Sequence, residues 1–232
     1  MEKPWSDGPK ELLSHAIEHI NGTSDFDRRI AFISIDNAVE LSIKTFLSLP
    51  KRIRKQEMPS RKELQDAENS FPTYLDLIEK YNNDKLNSIN LDDIEWYHRL
   101  RNQLYHNGNG LTVDKSKVEA YFEIAKTLFE SLFDDKLPQL QDITYTTALG
   151  NFMGKWSLFE KELRDKLPPK NGELAYYWKR EFLNSIDSKL VPLFNEVMDF
   201  RTNVVHGGDI VSKEDFNKIN TKVEFLRNAI KF

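Results

Sequence analysis

Apolar positions along this chain recur every three or four residues over long stretches and almost nowhere alternate, a pattern that predicts helices and no strand pair. Leu12, Leu13, Ala16, Ile17 and Ile20 mark the inner face of a first helix over about residues 9–20, closed by Asn21-Gly22. A long second helix is expected over about 25–49, opened by a Ser24 or Asp25 cap and stopped by Pro50. The third covers roughly 60–81, and Pro72 inside it should kink or split it. Helices over about 91–106 and 115–133 complete a set of five. A second set of four covers about 140–167 (through Gly150 and Gly154), 173–186, 189–206 with Pro192 in its first turn, and a last helix from Ser212 to the end, where Ser212-x-x-Asp215 has the form of a capping box. The polar stretch Asp134-Asp135-Lys136-Leu137-Pro138 lies between the sets. The expected architecture is therefore all-α: two tandem antiparallel helical bundles, residues 1–135 and 136–232, packed together.

One short pattern occurs in both sets. Arg101-Asn102-Gln103-Leu104-Tyr105-His106 is followed by Asn107-Gly108, and Arg201-Thr202-Asn203-Val204-Val205-His206 by Gly207-Gly208. Each places an arginine and a histidine five residues apart at the C-terminal end of a helical pattern, with glycine where a left-handed helix stop is expected. The contexts match as well. Tyr97, Leu100 and Leu104 form a stripe upstream of the first pair, and Val197, Phe200 and Val204 repeat it at the same offsets. An amphipathic helix follows each: Val118, Tyr121, Phe122, Ala125, Leu128 and Phe129 in one case, Phe216, Ile219, Val223, Leu226 and Ile230 in the other.

Composition narrows the chemistry available. The chain has 232 residues, 39% of them hydrophobic, enough for a core. It has no cysteine, which removes disulfides, thiolate metal sites and cysteine nucleophiles. No apolar run reaches membrane-spanning length and the N-terminal residues lack the apolar core of a secretion signal, so a cytoplasmic protein without a membrane partner is expected. The net charge of −4 does not favour polyanions overall, so any nucleic-acid contact must be local. Its densest basic run is Lys51, Arg52, Arg54 and Lys55, in the loop after Pro50, a candidate RNA-binding segment that is equally well read as a solvated loop.

Histidine and arginine without cysteine, without a convincing metal-ligand cluster and without a glycine-rich phosphate loop suit phosphate chemistry on RNA. The ribose 2′-hydroxyl is an internal nucleophile, so the protein need supply only a base, a cation for the developing charge and an acid for the leaving oxygen. Histidine titrates near working pH and arginine offers a bidentate phosphate fork. On an ideal helix residues five apart are separated by about 140°, so each Arg/His pair borders a pocket that a second copy would complete. Arg101, His106, Arg201 and His206 are thus the candidate catalytic residues, with Asn102 and Asn203 as supporting groups; no metal or cofactor is expected.

These two motifs resemble the hallmark of the HEPN superfamily, an arginine followed by a polar residue and then a histidine, at the end of a helix in an α-bundle. The resemblance covers about residues 9–133 and 140–231 and is stronger in the first half, where Asn102 follows the arginine; Thr202 departs from the usual residue. It implies a metal-independent endoribonuclease with two motifs in a composite site, leaving a 2′,3′-cyclic phosphate. It further implies a toxin or antiphage defence role, with single-stranded RNA or tRNA as substrate, an antitoxin or defence-system protein as partner, and the two motifs meeting at a pseudo-dimer interface within one chain or at a homodimer interface. Gly108 and Gly208 stand where some toxin members carry a modifiable tyrosine. The competing readings are a non-catalytic HEPN-like module that binds RNA, a nucleotide or a partner protein, and a structural helical adaptor.

Other residues read more plainly. An arginine or histidine near a helix C-terminus can simply cap carbonyls. His98 could join the first motif, but a surface or packing histidine is the expectation. His15 and His19, four residues apart, read as structural rather than as a metal face. Trp96, Trp156, Tyr176, Tyr177 and Trp178 read as core before base-stacking groups. Asp36, Asn37, Glu40 and Lys44 share one stretch of the second helix; Glu40 and Lys44 make a plain i,i+4 pair, and support behind the motif is the other reading there.

Overall fold

The computed structural model describes residues 3–50, 52–53, 57–86, 89–106, 112–137, 144–166, 175–207 and 211–230, with the backbone alone at 106, 144–147 and 175–179. Every regular element among them is helical. The chain divides into two compact units, Met1–Gln141 and Asp142–Phe232.

The first unit contains α1 (Pro4–Ile20), α2 (Asp25–Leu47), α3 (Arg61–Ala67), α4 (Phe71–Asn82), a 3-10 turn at Asn83–Leu86, α5 (Leu91–His106) and α6 (Lys115–Phe133). Helix α2 is its axis, packing on α1, α4, α5 and α6. That position explains why Ala31, Phe32, Ile35, Ala38, Val39, Ile43, Phe46 and Leu47 are all buried: a helix surrounded by others buries several faces, not one stripe. Ser24 starts it with a capping box, its hydroxyl accepting the Asp27 N–H at 3.0 Å while the Asp27 carboxylate accepts the Ser24 N–H at 3.2 Å. His19 adds a bond to Asp27 at 3.0 Å, so this histidine serves the helix start. Gly22 is needed in this turn because a Cβ there would run into the Asp27 carboxylate.

The single helix expected over 60–81 is two. The break falls at residues 68–70, ahead of Pro72, because Ser70 caps α4 and Pro72 occupies its first turn, where a missing N–H costs nothing. At the far end of α6, Asp134 takes the left-handed conformation, φ 47°, that an aspartate tolerates. The Lys3 ammonium donates to the carbonyls of Phe133 and Asp134, and Lys85 pairs with the Asp134 carboxylate at 3.3 Å. Carbonyls left open by the helix end are thereby tied to the start of α1, and the Asp134 side chain to the 3-10 turn.

The second unit contains α7 (Thr144–Lys166), α8 (Ala175–Ser185), α9 (Val191–His206) and α10 (Lys213–Ala229). Its core is aromatic: Phe152 of α7 meets Phe200 at 5.2 Å and Phe216 at 6.0 Å between ring centres, and Phe182 of α8 meets Phe194 at 4.8 Å. Trp156 is buried there and donates to Glu160 at 2.9 Å, a core role. The Ser212–Asp215 capping box forms as its spacing indicates. Among the described residues no helix is long and apolar enough to cross a membrane.

Candidate functional site

The two motif helices, α5 and α9, are buried in step. Ile94 and Phe194 are buried, as are Tyr97 and Val197, and Leu104 and Val204; Leu100 and Phe200 are half-buried in both. The same register therefore sets the rotation of each helix on its own bundle, and with it the side on which each arginine leaves. Arg101 keeps 21% of its side chain exposed, whereas Arg201 is buried.

Around Arg101 the neighbouring helix α2 supplies a clamp. One terminal guanidinium nitrogen donates to Asn37 Oδ1 at 2.9 Å, and the other to Asn102 Oδ1 at 3.0 Å. The Nε lies 3.4 Å from the Asp36 carboxylate. Each terminal nitrogen carries two N–H groups and spends one here, so one on each remains for an external anion. The guanidinium also sits over the Tyr105 ring, 5.3 Å from its centre, and Tyr105 is 65% exposed.

Asp36 is the hub of this arrangement and is entirely buried. Its Oδ1 accepts the Tyr121 hydroxyl at 2.7 Å, and its Oδ2 meets His98 Nδ1 at 3.0 Å as well as the Arg101 Nε. Burial, and after it the Asp36 charge, push the Tyr121 phenol well above its ordinary range, so it stays a donor. Tyr121 stacks flat on Tyr97, centres 4.2 Å apart, and Phe71 covers the His98 ring at 4.3 Å. A buried carboxylate surrounded by a phenol, an imidazole and a guanidinium is one whose charge is answered on every side.

His98 is thus neither a surface histidine nor merely a packing one: it belongs to the motif's surroundings through Asp36. Ligand-capable atoms of Asp36, Glu40 and His98 lie within 4.8 Å of one another, and these are the described residues that could hold a metal ion. Arg101 beside Asp36 and Lys44 at 2.5 Å from Glu40 already set positive charge against both carboxylates.

His106 ends α5, and its side chain lies outside the described residues, as do Asn107 and Gly108. In the second unit, His206 is half-buried and Asn203 exposed. Gly207 does not take the left-handed conformation expected of it; it is extended at φ −72°, ψ 167°. Its N–H donates to the Asn203 carbonyl at 2.7 Å, and a Cβ would collide with that carbonyl and with the Asn203 side chain, so glycine serves close approach there and not handedness. Among the described residues of unit 2 no carboxylate is buried as fully as Asp36; Glu160 of α7, 13% exposed, accepts from Trp156 and Arg164. Of the basic run, Arg52 is exposed in a turn, while Lys51, Arg54 and Lys55 lie outside the described residues; so do Gly208 and the side chains of Tyr176, Tyr177 and Trp178.

Sequence reasoning placed Arg101 and Asn102 together and offered His98 as a possible site member and Asp36 and Asn37 as possible support, each as its less favoured reading; it did not pair His98 with Asp36 and did not single out the exposed Tyr105. No spacing signal marks a contact between helices 62 positions apart in sequence. The chain matches no protein-family model, no curated protein and no solved structure.

Proposed function

We propose that this protein is a metal-independent endoribonuclease of the HEPN type, cleaving RNA by attack of the ribose 2′-hydroxyl on the adjacent phosphodiester. The observation that carries this reading is Arg101: a guanidinium fixed by Asn37, Asn102 and Asp36, partly exposed, with an N–H on each terminal nitrogen still to give. A cation held before substrate arrives needs no reorganisation as charge builds on the phosphate. Arg101 takes the non-bridging oxygens, and His106, five residues on in α5, carries the proton. Arg201 and His206 are the second candidate pair, with Asn203 beside them. Tyr105 offers a face on which a nucleobase can stack, and Lys51, Arg52, Arg54 and Lys55 offer contacts to the RNA backbone. A toxin or antiphage defence setting, with an antitoxin-like partner or self-association, rests on the resemblance of the motifs alone.

The test is direct: the purified chain is incubated with an end-labelled random-sequence RNA pool beside its Arg101→Ala and His106→Ala variants. Cleavage by the parent chain that both variants lose supports the reading. An inert parent chain, or undiminished variants, removes it.

A further inference from the structure

The geometry points to His98 as the general base that takes the 2′-hydroxyl proton, with Asp36 as its positioning residue. This rests on the ribonuclease reading above and adds to it a group that the repeated motif does not contain.

A single oxygen atom joins the groups involved. Asp36 Oδ2 meets His98 Nδ1 at 3.0 Å and Arg101 Nε at 3.4 Å, so the imidazole and the phosphate-binding guanidinium converge on the same anchor. They are three residues apart on α5, which puts them on one face of that helix. A carboxylate can only accept, so in the neutral ring Nδ1 is the protonated nitrogen and Nε2 carries the lone pair. That is the tautomer a base requires, and a buried carboxylate also steadies the imidazolium formed when the base takes a proton. The His98 side chain keeps 12% of its surface exposed, and its Nε2 is not among the buried polar atoms without a partner. Phe71 against the ring at 4.3 Å fixes its plane. A packing histidine needs a filled volume; it does not need one nitrogen fixed by a carboxylate and the other left open beside a clamped arginine.

Nε2 of His98 removes the 2′-hydroxyl proton while the 2′ oxygen forms its bond to phosphorus. The bond from phosphorus to the 5′ oxygen breaks, and that oxygen leaves with a proton from a separate acid, the place of His106. Products are a 2′,3′-cyclic phosphate and a 5′-hydroxyl, and the imidazolium returns its proton to water.

The experiment uses His98→Asn, whose amide can still donate to Asp36 but has no second ring nitrogen, with His98→Gln as the companion should the first fail to fold. Two substrates are compared: an oligonucleotide carrying the sequence most cut in the random-sequence RNA pool, and the same oligonucleotide with a bridging 5′ sulfur at the scissile phosphodiester. A thiolate leaves without a proton, so the sulfur relieves the need for an acid and leaves the need for a base. A folded variant is expected to lose about 10²–10⁴-fold on the oxygen substrate and to keep that deficit on the sulfur substrate, while His106→Ala recovers there. A full-rate variant, or a deficit that the sulfur abolishes, overturns His98 as the base even while the parent chain cleaves. A parent chain inert on both substrates overturns the ribonuclease reading itself.

Discussion

Asp36 Oδ2 and Arg101 Nε lie 3.4 Å apart, the carboxylate wholly buried on α2 and the guanidinium partly exposed on α5. The relationship is structural before it is functional. Removing the carboxylate strands the Tyr121 hydroxyl, which is fully buried, and one side of His98, and takes the ion-pair partner from Arg101. Breaking such a buried cluster by deleting one member costs about 3–5 kcal/mol. Asp36→Ala should therefore lower the urea midpoint sharply, and Asp36→Asn should do so less, since an amide oxygen still accepts from Tyr121. Equal, small losses for both would mean that the cluster adds little to the fold.

Arg101 differs in being partly exposed. Its partners Asn37 and Asn102 are only half-buried, so Arg101→Ala should cost less stability than Asp36→Ala, although it removes a cation from beside that carboxylate, and it should abolish cleavage. Arg101→Lys keeps the charge but cannot reproduce the fork that bonds Asn37 and Asn102 at once, and should rescue little. His206→Ala is expected to lower the rate too, since Arg201 and His206 repeat the residue types and spacing of the first pair. Cleavage rates and melting curves on the same preparations check all three.

Cleavage should survive excess EDTA. Arg101 and Lys44 stand against the carboxylates of Asp36 and Glu40, so the cluster that these form with His98 has its charge balanced without an ion. Activity lost in EDTA and restored by a divalent cation would assign that cluster to a metal and replace the mechanism proposed for it.

Helices, caps and the burial rhythm of α5 and α9 were legible in the chain because they depend on neighbours within a few residues: Ser212 with Asp215, Tyr97 with Leu104. The place where α3 ends was only half legible, since Pro72 announces a break but does not reveal that Ser70 caps the next helix. Gly207 was misread, because a glycine after a helix indicates handedness or close approach equally well and here it is the second. Of the site, Arg101 with Asn102 was legible, and Asp36, Asn37 and His98 were visible as candidates but not as partners. Asp36 reaches His98 across 62 positions, and nothing local in either segment reports the other.

Acid should weaken the α3–α4 pair. Glu63 closes the α3 capping box with Ser60 and also accepts from Lys80 at 2.9 Å and Tyr81 at 2.8 Å; the Lys80 bond first, then the Ser60 N–H, hold its carboxyl down at about 2. A depressed carboxyl contributes stability that is fully present above its unfolded value, about 4.3, and is lost as pH falls through the folded one. Wild type should therefore lose more stability than Glu63→Gln between these two values, the curves converging at the acid end; parallel curves would show that Glu63 is not linked to folding.

The central claim is that the 2′-hydroxyl of RNA is the nucleophile and that Arg101 serves the phosphate it attacks. The most direct measurement is mass spectrometry of the products from an oligonucleotide carrying a cut sequence, beside the same oligonucleotide with a single 2′-deoxy substitution at the cut. The account predicts a 2′,3′-cyclic phosphate and a 5′-hydroxyl from the all-ribose substrate, no product from the deoxy one, and neither product with Arg101→Ala. Cutting of the deoxy substrate, or a 5′-phosphate on the product, would contradict it.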